Sequence, residues 1–122
     1  MENNLIKWLQ EWYISQCDGD WEHEHGVKII TLDNPGWNID IDIINVELKK
    51  EISWKYFETT ERNWFGYKIE NSYFNLAGDA SKLEFLLQLF KNFIEQGEEA
   101  LPHYNKSEIT KVEAYDSDGN KV

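Results

Sequence analysis

Apolar side chains recur at helical spacing near the N-terminus, at positions i, i+3, i+4, i+7 and i+8. Asn3 or Asn4 precedes this run and can cap a helix, and Gly19 breaks the pattern. We therefore predict an amphipathic first helix. The face expected to pack in the core consists of Leu5, Trp8, Leu9, Trp12 and Tyr13.

The pattern then changes to the two-residue period of a β-hairpin. Val27–Leu32 is β-branched and apolar, and Asp33–Gly36 has the Pro-Gly chemistry of a turn. Trp37–Ile43 alternates strictly between apolar and polar residues, which predicts a half-buried strand. Its isoleucines and Trp37 are expected to face inward, and its water-facing residues are expected to be Asn38, Asp40 and Asp42.

The remaining pattern predicts an α+β fold. Ser81 and Glu84 have the spacing of a capping box and open a helix from Lys82 to about Gln96, which Gly97 ends. This helix has the wider apolar face and is expected to be better buried than the first. We predict one domain over residues 1–122, a mostly antiparallel sheet of about five to six strands with an N-terminal and a C-terminal helix packed on one face. The further strands are predicted at 52–59, 64–70, 73–77 and, in the tail, 109–115.

The charge limits the possible partners. The chain has 23 acidic and 12 basic residues, a formal net charge of −11. A field of this sign repels nucleic acid and anionic lipid and attracts basic proteins or cations. The single cysteine, Cys17, excludes an intrachain disulfide, and neither a signal peptide nor a long apolar run is visible. These features predict a soluble cytoplasmic protein with no nucleic-acid or membrane partner.

The acids are densest just after the first helix, where no lysine or arginine separates them. Like charges at this density stabilise no fold by themselves, so we predict a docking face for a positively charged protein. Trp37 is either part of this face or part of the core. The candidate contact residues are Asp18, Asp20, Trp21, Glu22, His23 and Glu24, with Asp40 and Asp42 from the neighbouring strand.

A metal site is the alternative interpretation of the same segment. Cys17–His25 contains every residue type that binds zinc, and His23 and His25 would share a face if they lay on a strand. A small metal-dependent enzyme and a general acidic interaction module therefore remain alternatives. Asp116–Asn120 has the opening of a calcium loop, but too few residues follow it, which favours a simple turn. We assign no catalytic residue, metal or cofactor.

Several segments resemble the immunity protein 53 family of bacterial polymorphic toxin systems. The resemblance covers about residues 5–95 and leaves the segment after Pro102 as an extension; Ile44–Thr60 contributes little to it. The matching elements are W-L-Q-E-W-Y at 8–13, C-D-G-D-W-E-H at 17–23, L-D-N-P-G-W at 32–37, Glu61-Arg62, Trp64, and F-x-x-x-G at 74–78.

The resemblance implies a non-enzymatic α+β protein that is encoded beside a toxin and protects its own cell by binding the toxin domain. It implies nothing about which toxin is bound, which residues contact it, or the oligomeric state. Combined with the negative charge, it favours an antitoxin for a basic toxin domain such as a nuclease.

Overall fold

The described part of the chain forms a five-stranded antiparallel sheet with helices on one face, which confirms the predicted α+β fold. The computed structural model describes residues 4–47 and 50–102. The predicted tail strand at 109–115 and the turn at 116–120 lie outside these residues. The strands are β1 (Val27–Leu32), β2 (Gly36–Asp42), β3 (Ile52–Thr60), β4 (Asn63–Glu70) and β5 (Tyr73–Asp79). The helices are α1 (Leu5–Gln16), α2 (Trp21–Glu24) and α3 (Leu83–Gln96), with a 3-10 turn at Glu98–Ala100.

The sheet joins a hairpin to a three-stranded meander in the order β1-β2-β5-β4-β3. Asn71 and Ser72 connect β4 to β5 with positive φ angles of 55° and 69°. A turn with two such residues matches the twist of the strands it joins. Because β5 lies between β2 and β4, the two edges of the sheet are β1 and β3.

The core lies between the sheet and the helices α1 and α3. Ile39 and Ile41 of β2 are fully buried, as the alternation predicted. Trp8 and Trp12 of α1 contact Phe90 of α3 edge-on, with ring centroids 5.8 and 4.9 Å apart. α3 also contributes more buried residues than α1, which confirms its predicted role: Leu86, Leu87, Leu89, Phe90 and Phe93 against Leu5 and Trp12.

The predicted capping box and the predicted exposure of Asp42 are both wrong. Ser81 and Glu84 form no capping box: α3 begins at Leu83, its cap Lys82 makes no side-chain capping bond, and the Ser81 hydroxyl instead donates to Asp79 Oδ1 at 2.5 Å. Because the cap position is Lys82, Ser81 lies one residue too early to cap the helix, and its hydroxyl forms a charge-assisted bond to the Asp79 carboxylate. Asp42 does not face water but is 1% exposed.

Candidate functional site

Asp18 and Glu22 fold the acidic loop between α1 and α2. Asp18 Oδ1 accepts hydrogen bonds from the backbone N–H groups of Asp20 and Trp21, both at 2.9 Å. Glu22 reaches back and accepts from the N–H groups of Asp18 at 3.0 Å and Gly19 at 2.9 Å. Gly19 has a φ of +100°, a conformation that L side chains rarely adopt. The loop therefore binds two of its own carboxylates through backbone donors.

These bonds lower the pKa of both carboxyl groups. For Asp18, the N–H groups of Trp21 and Asp20 stabilise the charged form. For Glu22, backbone hydrogen bonds, its own N–H first and then those of Asp18 and Gly19, outweigh the opposing effect of desolvation on the pKa. Both groups are therefore anionic at neutral pH, and their lone pairs are partly used inside the loop.

Two predicted contact residues are internal. Trp21 is 3% exposed and packs edge-on against Trp12, with centroids 6.1 Å apart. Asp42 is covered by the segment before β1 and the segment after β2. His25 Nδ1 contacts its Oδ2, and the Ile44 N–H donates to its Oδ1 at 2.8 Å. Neither side chain is therefore exposed at the surface of the described structure. The predicted exposure of Asp42 is wrong because alternation gives the face of a strand but not which segments fold over it.

The histidines do not lie on a strand as the metal hypothesis required. His23 lies in α2, and His25 follows the helix as its C-terminal cap residue. The Cys17 thiol donates to the Tyr13 carbonyl at 3.3 Å. Across residues 4–47 and 50–102, no group of three or more His, Cys, Asp and Glu residues is placed to hold a metal ion.

Two shallow depressions beside α2 bring the remaining candidates together. One, of about 650 Å³, lies where β1 begins, and the other, of about 230 Å³, lies beside the acidic loop. Glu24 and His25 line both. We call their combined lining the α2 surface: Tyr13, Asp18, Asp20, His23–Lys28, Asp40, Ile44, Asn45 and Tyr73, with the buried Trp21 beneath.

Negative charge dominates the α2 surface. Asp20 and Glu24 are exposed, and in the described part of the chain their side chains make no ion pair. Asp40 is half-buried and accepts from Asn75 Nδ2 at 2.6 Å. Lys28, which pairs in register with Asp40, supplies the surface's one lysine. The α2 surface therefore contains four carboxylates and one ammonium group.

The predicted contact residues missed several residues of this surface, among them Tyr13, Lys28 and Tyr73. Tyr13 was predicted in the core because it is on the apolar face of α1, yet it is 39% exposed at the rim. Tyr73 follows the β4–β5 turn, and its pKa is raised by desolvation and by the nearby carboxylates of Asp42 and Asp40. Lys28 reaches the site through its register with β2. Only Tyr13 could have been identified from the sequence, because it stands at the end of the apolar face of α1.

A sequence model of the Immunity protein 53 family matches residues 6–95, more than half of the chain. No curated protein and no solved structure matches significantly. Within the described residues, no helix is long and apolar enough to cross a membrane.

Proposed function

The chain belongs to the Immunity protein 53 family, and from that premise we propose that it binds a cognate toxin domain and neutralises it stoichiometrically, without catalysis. The single observation that carries the proposal is the family match over residues 6–95. The partner is then a protein from the same polymorphic toxin system, met in the cytoplasm of the producing cell.

We further propose that the toxin domain is basic. The net charge of −11 and the four carboxylates of the α2 surface favour a partner of opposite sign. Toxins that act on nucleic acid need basic surfaces because they contact phosphates. An acidic protein competes for such a surface, and its field also accelerates the encounter, which suits a protein that must act before damage occurs.

The contacts are proposed at Asp20, His23, Glu24 and Asp40. The first three are exposed around α2, and Asp40 faces the same depression from β2. Asp18 and Glu22 support this surface by folding its loop, as their bonds to backbone N–H groups indicate. Trp21 and Asp42 support it from beneath.

A titration against the toxin domain encoded by the adjacent reading frame, inactivated by mutation, tests the function. We expect a 1:1 complex with a Kd of ~10⁻⁸ M or lower, as in tight protein–protein complexes. Co-expression with the active toxin should restore growth of a sensitive host. Lysozyme, a basic protein unrelated to the system, serves as the control and should bind weakly and only at low salt. Failure to form a complex together with failure to protect cells would refute the proposal.

A further inference from the structure

The two edges of the sheet differ in how they are protected. β3 has two register shifts against β4, between Ile52 and Lys55 and between Glu58 and Thr60. Such irregularities blunt an edge against pairing with another chain. β1 pairs with β2 over six consecutive positions without a shift, and Lys28 is its one charged residue. Within residues 4–47 and 50–102, β1 is therefore the more regular and less protected edge.

The peptide groups of β1 alternate between β2 and the open edge. The Gly26 carbonyl accepts a hydrogen bond from the Asp42 N–H at 3.1 Å, which extends the β1–β2 ladder by one pair. In an antiparallel pair, residues with inward-pointing and outward-pointing groups alternate. Lys28, Ile30 and Leu32 thus bond to β2, whereas the N–H and C=O groups of Val27, Ile29 and Thr31 point away from the sheet. A further strand would find its hydrogen-bonding partners in this second set.

Apolar side chains on both sides of β1 are also partly exposed in the part of the chain that the structure describes. Ile29 is 39% exposed and Ile30 is 54% exposed. Consecutive strand residues point to opposite faces, so the two isoleucines flank the edge from above and below. An added strand would place a side chain beside each of them. Both the main chain and the side chains of β1 therefore suit an extended segment.

We propose that the toxin domain supplies this segment and adds a strand to β1, with basic side chains over the adjoining α2 surface. This deepens the proposed function and rests on it. Charge selects the occupant: a second copy of the chain has the same net charge of −11, whereas a basic segment is complementary to Glu24 and Asp40 at the beginning of β1. Main-chain hydrogen bonds would give affinity, and the carboxylates would set which segment is accepted.

The variant Ile29→Pro tests the added strand. Proline removes an N–H that points away from β2, so the ladder to β2 keeps all its bonds while the edge loses a donor and gains a ring. We expect binding of the inactivated adjacent toxin domain to weaken by ~100-fold or more, as for loss of a central interface contact. The matched control Ile29→Thr keeps the N–H and a β-branched side chain, and should bind within a few-fold of wild type. Circular dichroism of both variants checks the fold.

Amide hydrogen exchange tests the same proposal in the wild-type chain and does not depend on the proline variant folding. On adding the toxin domain, the amide protons of Val27, Ile29 and Thr31 should become protected, while those of Lys28, Ile30 and Leu32 are protected beforehand. Toxin binding without this new protection, or equal binding by Ile29→Pro, would overturn the added strand alone. A wild-type homodimer that Ile29→Pro dissociates would assign the edge to a second copy and also overturn it. No toxin binding by wild type would overturn the proposed function itself.

Discussion

Replacing Asp79 by alanine is expected to lower the free energy of unfolding by about 3–5 kcal/mol at pH 7, the cost of breaking a buried charge pair. Asp79 is 4% exposed at the end of β5. Its Oδ2 accepts from the Trp64 N–H at 2.8 Å and Lys82 Nζ at 2.7 Å, and its Oδ1 accepts from the Ser81 N–H at 2.8 Å. Alanine would leave these donors without their acceptor and the Lys82 ammonium unpaired. The carboxylate thus joins β4, β5 and the start of α3.

The effect should depend on pH. Desolvation alone would raise the pKa of Asp79, but the hydrogen bonds from Lys82, Ser81 and Trp64 outweigh it and hold the pKa well below the usual range. A carboxyl group whose pKa is lower in the folded state stabilises the fold above its unfolded pKa of about 4. That stabilisation is lost as the pH falls below about 4, toward the folded pKa.

Urea denaturation of wild type and Asp79→Ala at pH 7 and at pH 3 measures both effects. The difference in unfolding free energy between the two proteins should be largest at pH 7 and smaller at pH 3. Asp79→Asn keeps one acceptor oxygen, so its unfolding free energy at pH 7 should lie between those of wild type and Asp79→Ala. A difference below about 1 kcal/mol at pH 7, the range of a surface ion pair, would show that this network contributes little.

Replacing Trp21 by alanine is expected to cost about 3–5 kcal/mol, as for other buried aromatic residues. Its ring packs against Trp12 and Tyr13, with centroids 6.1 and 5.7 Å apart. The indole Nε1 has no hydrogen-bond partner within the part of the chain that the structure describes, so the loss is one of apolar packing. Trp21→Phe keeps much of that packing and should cost only about 1–2 kcal/mol.

The two Trp21 variants separate a core role from an interface role. Chemical denaturation measures their stability, and titration of the toxin domain against folded Trp21→Phe measures binding. We expect Trp21→Phe to bind within a few-fold of wild type, since a residue that is 3% exposed offers a partner almost no surface. Full stability combined with lost binding would instead place the indole at the interface.

Local periodicity was sufficient to predict the five strands and the two long helices, α1 and α3, but not the one-turn helix α2. The alternation in β2 identified the buried Ile39 and Ile41, and the wide apolar face of α3 identified Phe90 and Leu86. These predictions succeed because burial on one face repeats at the period of the element itself. Asn4 could also be predicted: its side chain accepts from the Lys7 N–H at the start of α1.

The candidate site is formed by residues that are distant in sequence. Local periodicity carries no information about which of these residues come together. The position of β5 between β2 and β4 brings Tyr73 beside Asp40, and the chain folded over the end of β2 buries Asp42. The local sequence contains a signal for the roles of Asp18 and Glu22, which the argument from net charge overlooked. An aspartate that accepts from the N–H groups two and three residues later is common turn chemistry, so part of the acidic loop stabilises itself.

The structure also decides which acids should be mutated to test the docking surface. Reversing Asp18 or Glu22 would disrupt the loop, because their carboxylates bind its N–H groups. Asp20 and Glu24 are exposed, so their reversal changes the field of the α2 surface with least effect on the fold. Glu61 and Glu99 are exposed acids outside the α2 surface. The double variant Glu61→Lys/Glu99→Lys therefore has the same net charge as Asp20→Lys/Glu24→Lys and controls for it.

The association rate of the inactivated toxin domain with these two variants, measured by stopped flow at low and at physiological salt, tests the docking surface most directly. Reversal of Asp20 and Glu24 should slow association by ~10–100-fold at low salt, with a smaller effect as salt screens the field. At physiological salt, Glu61→Lys/Glu99→Lys should slow association less than Asp20→Lys/Glu24→Lys does, because its charges lie outside the α2 surface and salt limits each charge to short-range effects. Equal rates for the two variants would contradict docking at the α2 surface.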